Sequence, residues 1–272
     1  MRTQRLIQLV PFVAPLLLVT VCSYRATAGS VFLFSTGDAS LDALTKRALE
    51  GYGHTVDLGP QYVSFNGSRS LEGYSTVLLV PSVNWFSGDM PVAGQIALKN
   101  FVTTGGGLVT GEWLVWKNAA ERDFQTLFPA IPVISNSAYR SSFRATYTSL
   151  VDDQILNRGV PGQFTFRADD IDGGSETLFR AKAGATAFYG SDYGVGGQGL
   201  IGWDYGEGRV LSFSTVLGPL ELQDSAYSRL LSNAVDWSAS GPGAVPEPSA
   251  VVLFGLGALG VMRYGYRWRR AG

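Results

Sequence analysis

Carboxylates supply most of the acid–base chemistry available in this sequence. Glu112 directly follows Gly111 after one predicted strand, and Asp38 and Asp89 follow two other predicted strands. Glycoside hydrolysis requires two carboxyl groups across a cleft, about 5–5.5 Å or about 6.5–9.5 Å apart according to the mechanism. Glu112 with Asp38, or Glu112 with Asp89, is therefore a candidate catalytic pair for a carbohydrate-active hydrolase.

Aromatic residues occur beside the same segments. Trp85 and Phe86 follow one predicted strand, and Trp113 and Trp116 follow Glu112. Flat aromatic rings combine a large apolar surface with a defined geometry, which suits stacking on the faces of sugars. The three tryptophans are therefore candidate binding residues. The alternative is that they pack into the core or cover a loop.

A second acidic group occupies residues 169–176, whose sequence is DDIDGGSE. Calcium takes six to eight oxygen ligands, so Asp169, Asp170, Asp172 and Glu176 are candidate calcium ligands. Their spacing is not that of an EF-hand loop, in which a bidentate Glu stands at the twelfth position. The alternative is a solvated acidic turn.

The sequence contains one cysteine, Cys22, and one histidine, His54. Cys22 lies in the predicted leader peptide, so the mature chain would hold no thiol nucleophile, disulfide or thiolate ligand. His54 stands at the start of the second predicted strand, away from the other candidates, and is predicted to be structural. This inventory excludes Cys–His catalysis and nearly excludes Ser–His catalysis. It also predicts no zinc, redox metal or other cofactor.

Strands and helices alternate in the first half of the chain. Apolar runs predict buried strands at 31–36, 54–58, 76–80 and 108–110. Apolar spacing predicts helices at 39–52, 91–103 and 119–128. This alternation predicts βαβ units around a parallel sheet.

The second half has a different pattern. Short β-type runs separated by Gly-rich turns predict strands at 144–150, 176–183, 185–189, 199–203 and 209–214. An amphipathic helix is predicted at 222–237. The predicted fold class is α/β, a flavodoxin-like parallel sheet flanked by helices with a more antiparallel, β-rich second half. Ligands of such sheets bind beyond the carboxyl ends of the strands, so segments 35–38, 81–89 and 110–116 are expected around one crevice.

The first 28 residues have the layout of a secretory signal peptide. Arg2 and Arg5 form a positive start, an apolar stretch follows, and 26–28 is a small-x-small cleavage pattern before Gly29. The alternative is a retained membrane anchor. The body then extends over 29–240, followed by a linker at 241–248.

Residues 249–272 are predicted to form a transmembrane helix with a basic tail. The stretch from 245 to 264 just reaches the about 20 residues that a spanning helix needs. The basic side chains Arg263, Arg267, Arg269 and Arg270 would remain cytoplasmic under the positive-inside rule. The alternative is a buried core helix.

Charge is unevenly distributed along the chain. Seven of the 21 basic residues lie in the terminal segments, which leaves 14 basic and 22 acidic side chains in residues 29–248, a net charge of −8. A body this acidic has no electrostatic footprint for nucleic acid, so nucleic-acid binding is not expected.

The C-terminal elements occur in a defined order. Pro246, Glu247 and Pro248 stand directly before the apolar run, which the arginine cluster ends. This combination resembles the PEP-CTERM protein-sorting signal. The resemblance implies an exosortase-type sorting enzyme and the export machinery as partners, processing near the Pro-Glu-Pro motif, and a Gram-negative bacterium that makes exopolysaccharide. It also implies an exported protein, first anchored in the inner membrane and then periplasmic, on the cell surface or in the extracellular matrix.

The body resembles a second family. The sequence FVTTGGGLVTG at 101–111, the run GWDYGEGRVLSFS at 202–214 and the closing LLSNAVDW at 230–237 are similar to the ThuA-like and class I glutamine amidotransferase-like family. Amidotransferases of this family present a cysteine at the elbow, and ThuA-like relatives often have a histidine just beyond the glycines. This chain has Glu112 and Trp113 there.

Together these features predict an exported, surface-sorted and non-catalytic α/β protein. Its expected role is binding or structural, in an extracellular polysaccharide or biofilm context. The alternative is a hydrolase that uses carboxylates around Glu112.

Overall fold

The computed structural model describes residues 29–241. In chain order the strands are β1 (Ser30–Ser35), β2 (Thr55–Gln61), β3 (Thr76–Leu79), β4 (Gly107–Thr110), β5 (Val133–Arg140), β6 (Arg144–Ser149), β7 (Gln163–Arg167), β8 (Glu176–Ala181), β9 (Thr186–Ser191), β10 (Gln198–Tyr205) and β11 (Gly208–Phe213). The helices are α1 (Ala39–Glu50), α2 (Val92–Thr103), α3 (Glu112–Glu121), α4 (Pro219–Gln223) and α5 (Ser225–Ala239).

Nine of these strands form one mixed sheet in the order β2-β1-β3-β4-β11-β10-β9-β6-β7. The first five are parallel to their neighbours, and every later pair is antiparallel. Strands β5 and β8 pair separately as a two-stranded antiparallel sheet. The prediction of an α/β fold with a parallel first half and a more antiparallel second half is confirmed.

Helices cover both faces of the parallel strands, so those strands are buried on both sides. In β1 the side chains of Val31 and Leu33 lie in the apolar cluster that includes residues of α1 and α5. Those of Phe32 and Phe34 lie in the other cluster, with residues of α2 and α3. The strand period of two places alternate residues on opposite faces, which explains why this apolar run has no polar positions.

Two helix predictions were wrong, and two strands were not predicted. The helix predicted at 119–128 begins at Glu112 instead and ends where Arg122 takes a left-handed conformation with φ 65°. Strands β5 and β7 were not predicted, because their sequences mix polar and apolar residues without a continuous apolar run. The closing helix is two helices, since Asp224 caps α5 by accepting hydrogen bonds from the Ala226 and Tyr227 amides.

Among residues 29–241, no helix has the length and apolar character needed to cross a membrane. The predicted signal peptide, the Pro-Glu-Pro motif and the predicted transmembrane helix with its arginine cluster lie outside the described residues.

Candidate functional site

The elbow after β4 places Glu112 inside the protein. Gly111 caps α3, and Glu112 is its first residue. The Glu112 side chain is fully buried. Its Oε1 atom accepts a hydrogen bond from the Thr177 hydroxyl at 3.2 Å, and its Oε2 atom has no partner among the described residues. Burial raises the pKa of Glu112 well above its usual range, and the bond from Thr177 opposes that shift only in part. Burial therefore favours the protonated, uncharged form of this carboxyl group.

The predicted catalytic partners of Glu112 are engaged elsewhere. Asp38 caps α1 by accepting hydrogen bonds from the Ser40 and Leu41 amides. Asp89 accepts hydrogen bonds from the Phe124 amide at 2.9 Å and from the Gln95 side chain at 3.1 Å.

Other carboxylates raise the pKa of Glu112. They are Glu176, Glu221 and Asp170. The Glu112 carboxyl is fully buried, whereas Asp38 and Asp89 are exposed, so the three carboxyl groups do not line one open cleft.

Glu176 is the second buried carboxylate of this region. Arg140 donates to its Oε2 atom from Nε at 3.0 Å and from Nη2 at 2.5 Å. The Ser214 hydroxyl donates to Oε1 at 2.6 Å, and the Ser191 hydroxyl also donates there. Burial raises the pKa of Glu176, and these hydrogen bonds and the Arg140 charge oppose the shift. Arg140 extends the network by pairing with Asp192 at the surface.

The predicted tryptophans do come together. Trp85 stacks on Trp113 with ring centroids 4.7 Å apart and an interplanar angle of 11°. Trp116 contacts both rings edge-on, at 5.5 Å and 5.3 Å. Trp113 is only 2% exposed, so it belongs to the core, as the alternative interpretation of these aromatics requires.

The outer rings of this cluster reach the surface. Phe86 is 68% exposed and Tyr139 is 48% exposed. Tyr139 lies 6.2 Å from Trp116, and Phe86 lies 6.1 Å from Trp85, centroid to centroid. Trp85 and Trp116 are half-buried. We refer to Trp85, Phe86, Trp116 and Tyr139 as the aromatic patch.

A tight hairpin covers the inner side of the patch. Ile171 and Gly174 exchange backbone hydrogen bonds of 2.9 Å and 3.1 Å. Asp172 and Gly173 form the turn with φ of 53° and 87°, the left-handed geometry that two-residue hairpins favour. The Trp85 indole donates to the Asp172 carboxylate at 2.7 Å, which fastens the hairpin to the patch.

The four candidate calcium ligands do not form a metal site. Asp169 accepts from the Leu220 amide, Asp170 from the Ser141 hydroxyl, Asp172 from Trp85, and Glu176 binds Arg140. Within the described part of the chain, no group of three or more His, Cys, Asp or Glu residues could hold a metal ion. The separate partners explain why closeness in sequence does not produce a cluster.

His54 is buried and directly precedes β2. It therefore lies where the parallel strands begin, whereas the tryptophans follow the ends of strands β3 and β4. Its Nε2 atom lies 2.9 Å from the Ser232 hydroxyl and 4.0 Å from the Asp236 carboxylate. Both groups face the same ring nitrogen, which is not the arrangement of a catalytic triad. Burial lowers the pKa of His54, and the Asp236 charge opposes that shift.

The pocket found beside these loops lies nearer α1 than the predicted crevice. A pocket of about 370 Å³ has Asp38 and Val83 in its wall, which belong to the loops after β1 and β3. Glu112 and the tryptophans do not line this pocket.

Sequence reasoning missed Arg140, Tyr139 and Thr177. Arg140 and Tyr139 are consecutive residues of the unpredicted strand β5, so their side chains take different roles. The strand is paired irregularly with β8, and Ser137 has φ 59°. The adjacent aromatic and basic residues at the end of this strand were the only available signal.

Substitution of Gly174 by alanine is expected to lower the free energy of unfolding by about 1–3 kcal/mol, because overpacking forces neighbouring side chains to move. An added Cβ would lie 2.8 Å from the Trp113 ring and 3.3 Å from Glu112 Oε1. Chemical denaturation measures the change. Gly162→Ala is the control, because its Cβ would meet nothing within 4 Å; equal losses in both variants would show that the hairpin does not seal Glu112.

The C-terminal tail and the body are similar to different groups of known proteins. Residues 244–270 match the family described as the PEP-CTERM protein-sorting motif. No curated protein matches the chain. The motif implies an exported protein that undergoes membrane-associated sorting and is recognised by an exosortase-type enzyme.

Solved structures match the body at low sequence identity. A cytoplasmic protein of Salmonella typhimurium LT2 has a TM-score of 0.58 and 14% identity, over 77% of this chain and 98% of that chain. A ThuA-like protein of Parabacteroides merdae has a TM-score of 0.53 and 15% identity, over 79% of this chain and 91% of that one. A β-galactosidase of Bacillus circulans has a TM-score of 0.54 and 14% identity, over 76% of this chain and only 30% of its own. The chain thus carries a PEP-CTERM protein-sorting motif at residues 244–270, behind a body whose fold is similar to that of ThuA-like proteins.

Proposed function

We propose that residues 29–241 form a non-catalytic carbohydrate-binding domain that acts outside the cytoplasm, in an extracellular polysaccharide context. One observation carries the proposal: the outer rings of the aromatic patch are exposed to solvent, whereas the adjacent Glu112 carboxyl is fully buried. A surface that stacks on sugars needs exposed rings held in fixed positions. A glycosidase needs two carboxyl groups that reach the substrate.

The patch is supported in a way that fixes its rings. The Trp116 indole donates to the Ser137 carbonyl at 3.0 Å, and the Trp85 indole is bound by Asp172. Trp113 lies beneath Trp85 as a buried support. Rings held by packing and hydrogen bonds lose little conformational entropy when a ligand binds. Trp85 and Trp116 therefore remain candidate contact residues, Phe86 and Tyr139 join them, and Trp113 acts from below.

The hydrolase alternative receives less support. It would use Glu112 with Asp38 or Asp89, but Glu112 is buried and the other two carboxylates cap or bind neighbouring backbone amides. The similarity to a β-galactosidase concerns the fold and covers 30% of that enzyme. Fold similarity alone does not transfer an activity.

The sorting motif supports the proposed location. Export would be followed by anchoring in the inner membrane through the C-terminal helix, recognition by the exosortase-type enzyme and processing near Pro246, Glu247 and Pro248. The body would then act in the periplasm, on the cell surface or in the extracellular matrix of a Gram-negative bacterium. The net charge of −8 on residues 29–248 favours neutral rather than polyanionic glycans as ligands.

Phe86→Ala and Tyr139→Ala are each expected to weaken binding of the producing bacterium's extracellular polysaccharide by about tenfold, which corresponds to about 1.4 kcal/mol. Truncation of an exposed ring removes stacking area without opening the core. Affinity electrophoresis of the full-length protein measures the change. Phe143→Ala is the matched control, because Phe143 is an exposed aromatic residue outside the patch. Equal binding by all three variants and the original protein would contradict the proposed surface.

A further inference from the structure

A second site lies beside α1, separate from the aromatic patch. Residues Ser40, Leu44 and Arg47 recur at intervals of four and three, so they share one face of the helix. This face forms one side of the pocket of about 370 Å³. Val83, Ile171 and Pro219 are also in its wall.

The position of the pocket is that of a ligand site in an open α/β sheet. β1 pairs with β2 on one side and with β3 on the other, so the strand order reverses direction there. The loops that follow β1 and β3 contribute Asp38 and Val83 to the pocket. Ligands of such sheets bind at this switch point, and a volume of about 370 Å³ falls in the range of small-molecule sites.

Opposite charges occur at the two ends of α1. Asp38 caps the helix through its Oδ1 atom, which leaves its other oxygen for a ligand. Asp169 similarly binds the Leu220 amide through Oδ2. Arg47 lies in the last turn of α1, and no ion-pair partner for it is present in the described residues.

The separation of these charges sets the length of a ligand. Nine residues of α-helix from Asp38 to Arg47 span about 13 Å. The Arg47 side chain leans toward the helix N-terminus, which shortens the gap. An extended chain covers at most about 3.3–3.6 Å per residue, so a peptide of two or three residues fits between the two charges.

The middle of the pocket has a different character from its ends. Leu41, Leu44, Val83, Ile171 and Pro219 contribute aliphatic surface there. A saccharide carries hydroxyl groups along its whole length, and aliphatic surface would leave those groups unpaired. A ligand with charged ends and an apolar middle matches the lining better.

We propose that this pocket binds a short zwitterionic peptide of two or three residues. Its ammonium group lies at Asp38, with Asp169 as a further acceptor, and its carboxylate binds Arg47. The guanidinium group suits this role because it can donate two parallel hydrogen bonds to one carboxylate. The site is independent of the glycan surface proposed above.

The test is isothermal titration calorimetry of the full-length protein with the tripeptide Ala-Leu-Ala. The N-acetylated and C-amidated forms of the peptide are each expected to bind at least tenfold more weakly. Arg47→Gln is expected to weaken binding of the free tripeptide at least tenfold and to abolish the difference between the free and amidated peptides. Asp38→Asn should abolish the effect of N-acetylation, while the amide oxygen of Asn preserves the helix cap.

Two controls keep the outcome unambiguous. Arg180→Gln removes the same charge from an exposed position outside the pocket and should bind the tripeptide normally. Phe86→Ala should also bind it normally, which separates this site from the glycan surface. The proposal is overturned if the tripeptide does not bind, if Arg47→Gln binds it as well as the original protein does, or if maltose binds with the same dependence on Arg47.

Discussion

Substitution of Arg140 by alanine is expected to lower the free energy of unfolding by about 3–5 kcal/mol, because it leaves the buried Glu176 carboxylate without its counter-charge. Glu176 is 1% exposed, and Arg140 binds it through two nitrogen atoms. In a domain of this size each kcal/mol shifts the melting temperature by about 2–4 °C, so a decrease of about 6–20 °C is expected. Thermal and urea denaturation of the same preparation measure both quantities.

A matched control and a rescue distinguish this explanation from a general effect of losing an arginine. Arg180→Ala removes an exposed arginine of strand β8 and should change the free energy of unfolding by less than about 0.5 kcal/mol. Adding Glu176→Gln to Arg140→Ala removes the buried charge and should restore part of the loss. If Arg140→Ala costs no more than Arg180→Ala, the Arg140–Glu176 pair does not stabilise the two-stranded sheet of β5 and β8.

Substitution of Glu112 by glutamine is expected to make the protein more stable than the original, by an amount that grows with pH. Burial raises the pKa of Glu112 in the folded protein. Between the ordinary pKa of a glutamate, about 4.3, and the raised pKa, the unfolded chain has lost this proton and the folded protein retains it. The free energy of unfolding therefore falls with rising pH by about 1.4 kcal/mol per pH unit in that interval, and the loss is constant above it.

Glutamine removes this loss because it resembles the protonated acid in shape and has no charge to develop. The measurement is the difference in free energy of unfolding between Glu112→Gln and the original protein, from pH 5 to pH 8. Glu72→Gln, at an exposed position, is the control and should show a constant difference. A Glu112→Gln difference that stays constant over this range would mean that Glu112 ionises normally, which would reopen its role as a catalytic carboxylate.

The sequence was sufficient for the parallel half of the fold and for the tail. Strands β1 and β3 are continuous apolar runs because helices cover both of their faces, and such runs are recognisable without a structure. The Pro-Glu-Pro motif is similarly local, and residues 244–270 match the sorting-motif family. Strand β5 was not predictable in this way, because it is stabilised by pairing with β8, which is distant in the sequence. Arg140 of β5 pairs with Glu176 of β8, 36 residues later.

The sequence allowed us to predict where the tryptophans lie, but not that Trp113 and Glu112 are buried. Trp85, Trp113 and Trp116 come together as expected, because all of them follow the carboxyl ends of neighbouring parallel strands. Their unequal exposure depends on the hairpin at 171–174, a long-range contact that no local pattern encodes. The same hairpin seals Glu112, so its burial was equally hidden from sequence reasoning. Asp38 and Asp89 accept hydrogen bonds from backbone amides, and no local sequence pattern encodes these contacts.

The proposed function requires that the aromatic patch bind polysaccharide without hydrolysing it. The most direct measurement follows binding and the release of reducing ends in one sample, with the full-length protein and the producing bacterium's extracellular polysaccharide. Binding is expected to weaken about tenfold in Phe86→Ala. Neither the original protein nor Glu112→Gln is expected to release reducing ends. Release by the original protein that disappears in Glu112→Gln would contradict the proposed function, and the domain would then be a hydrolase.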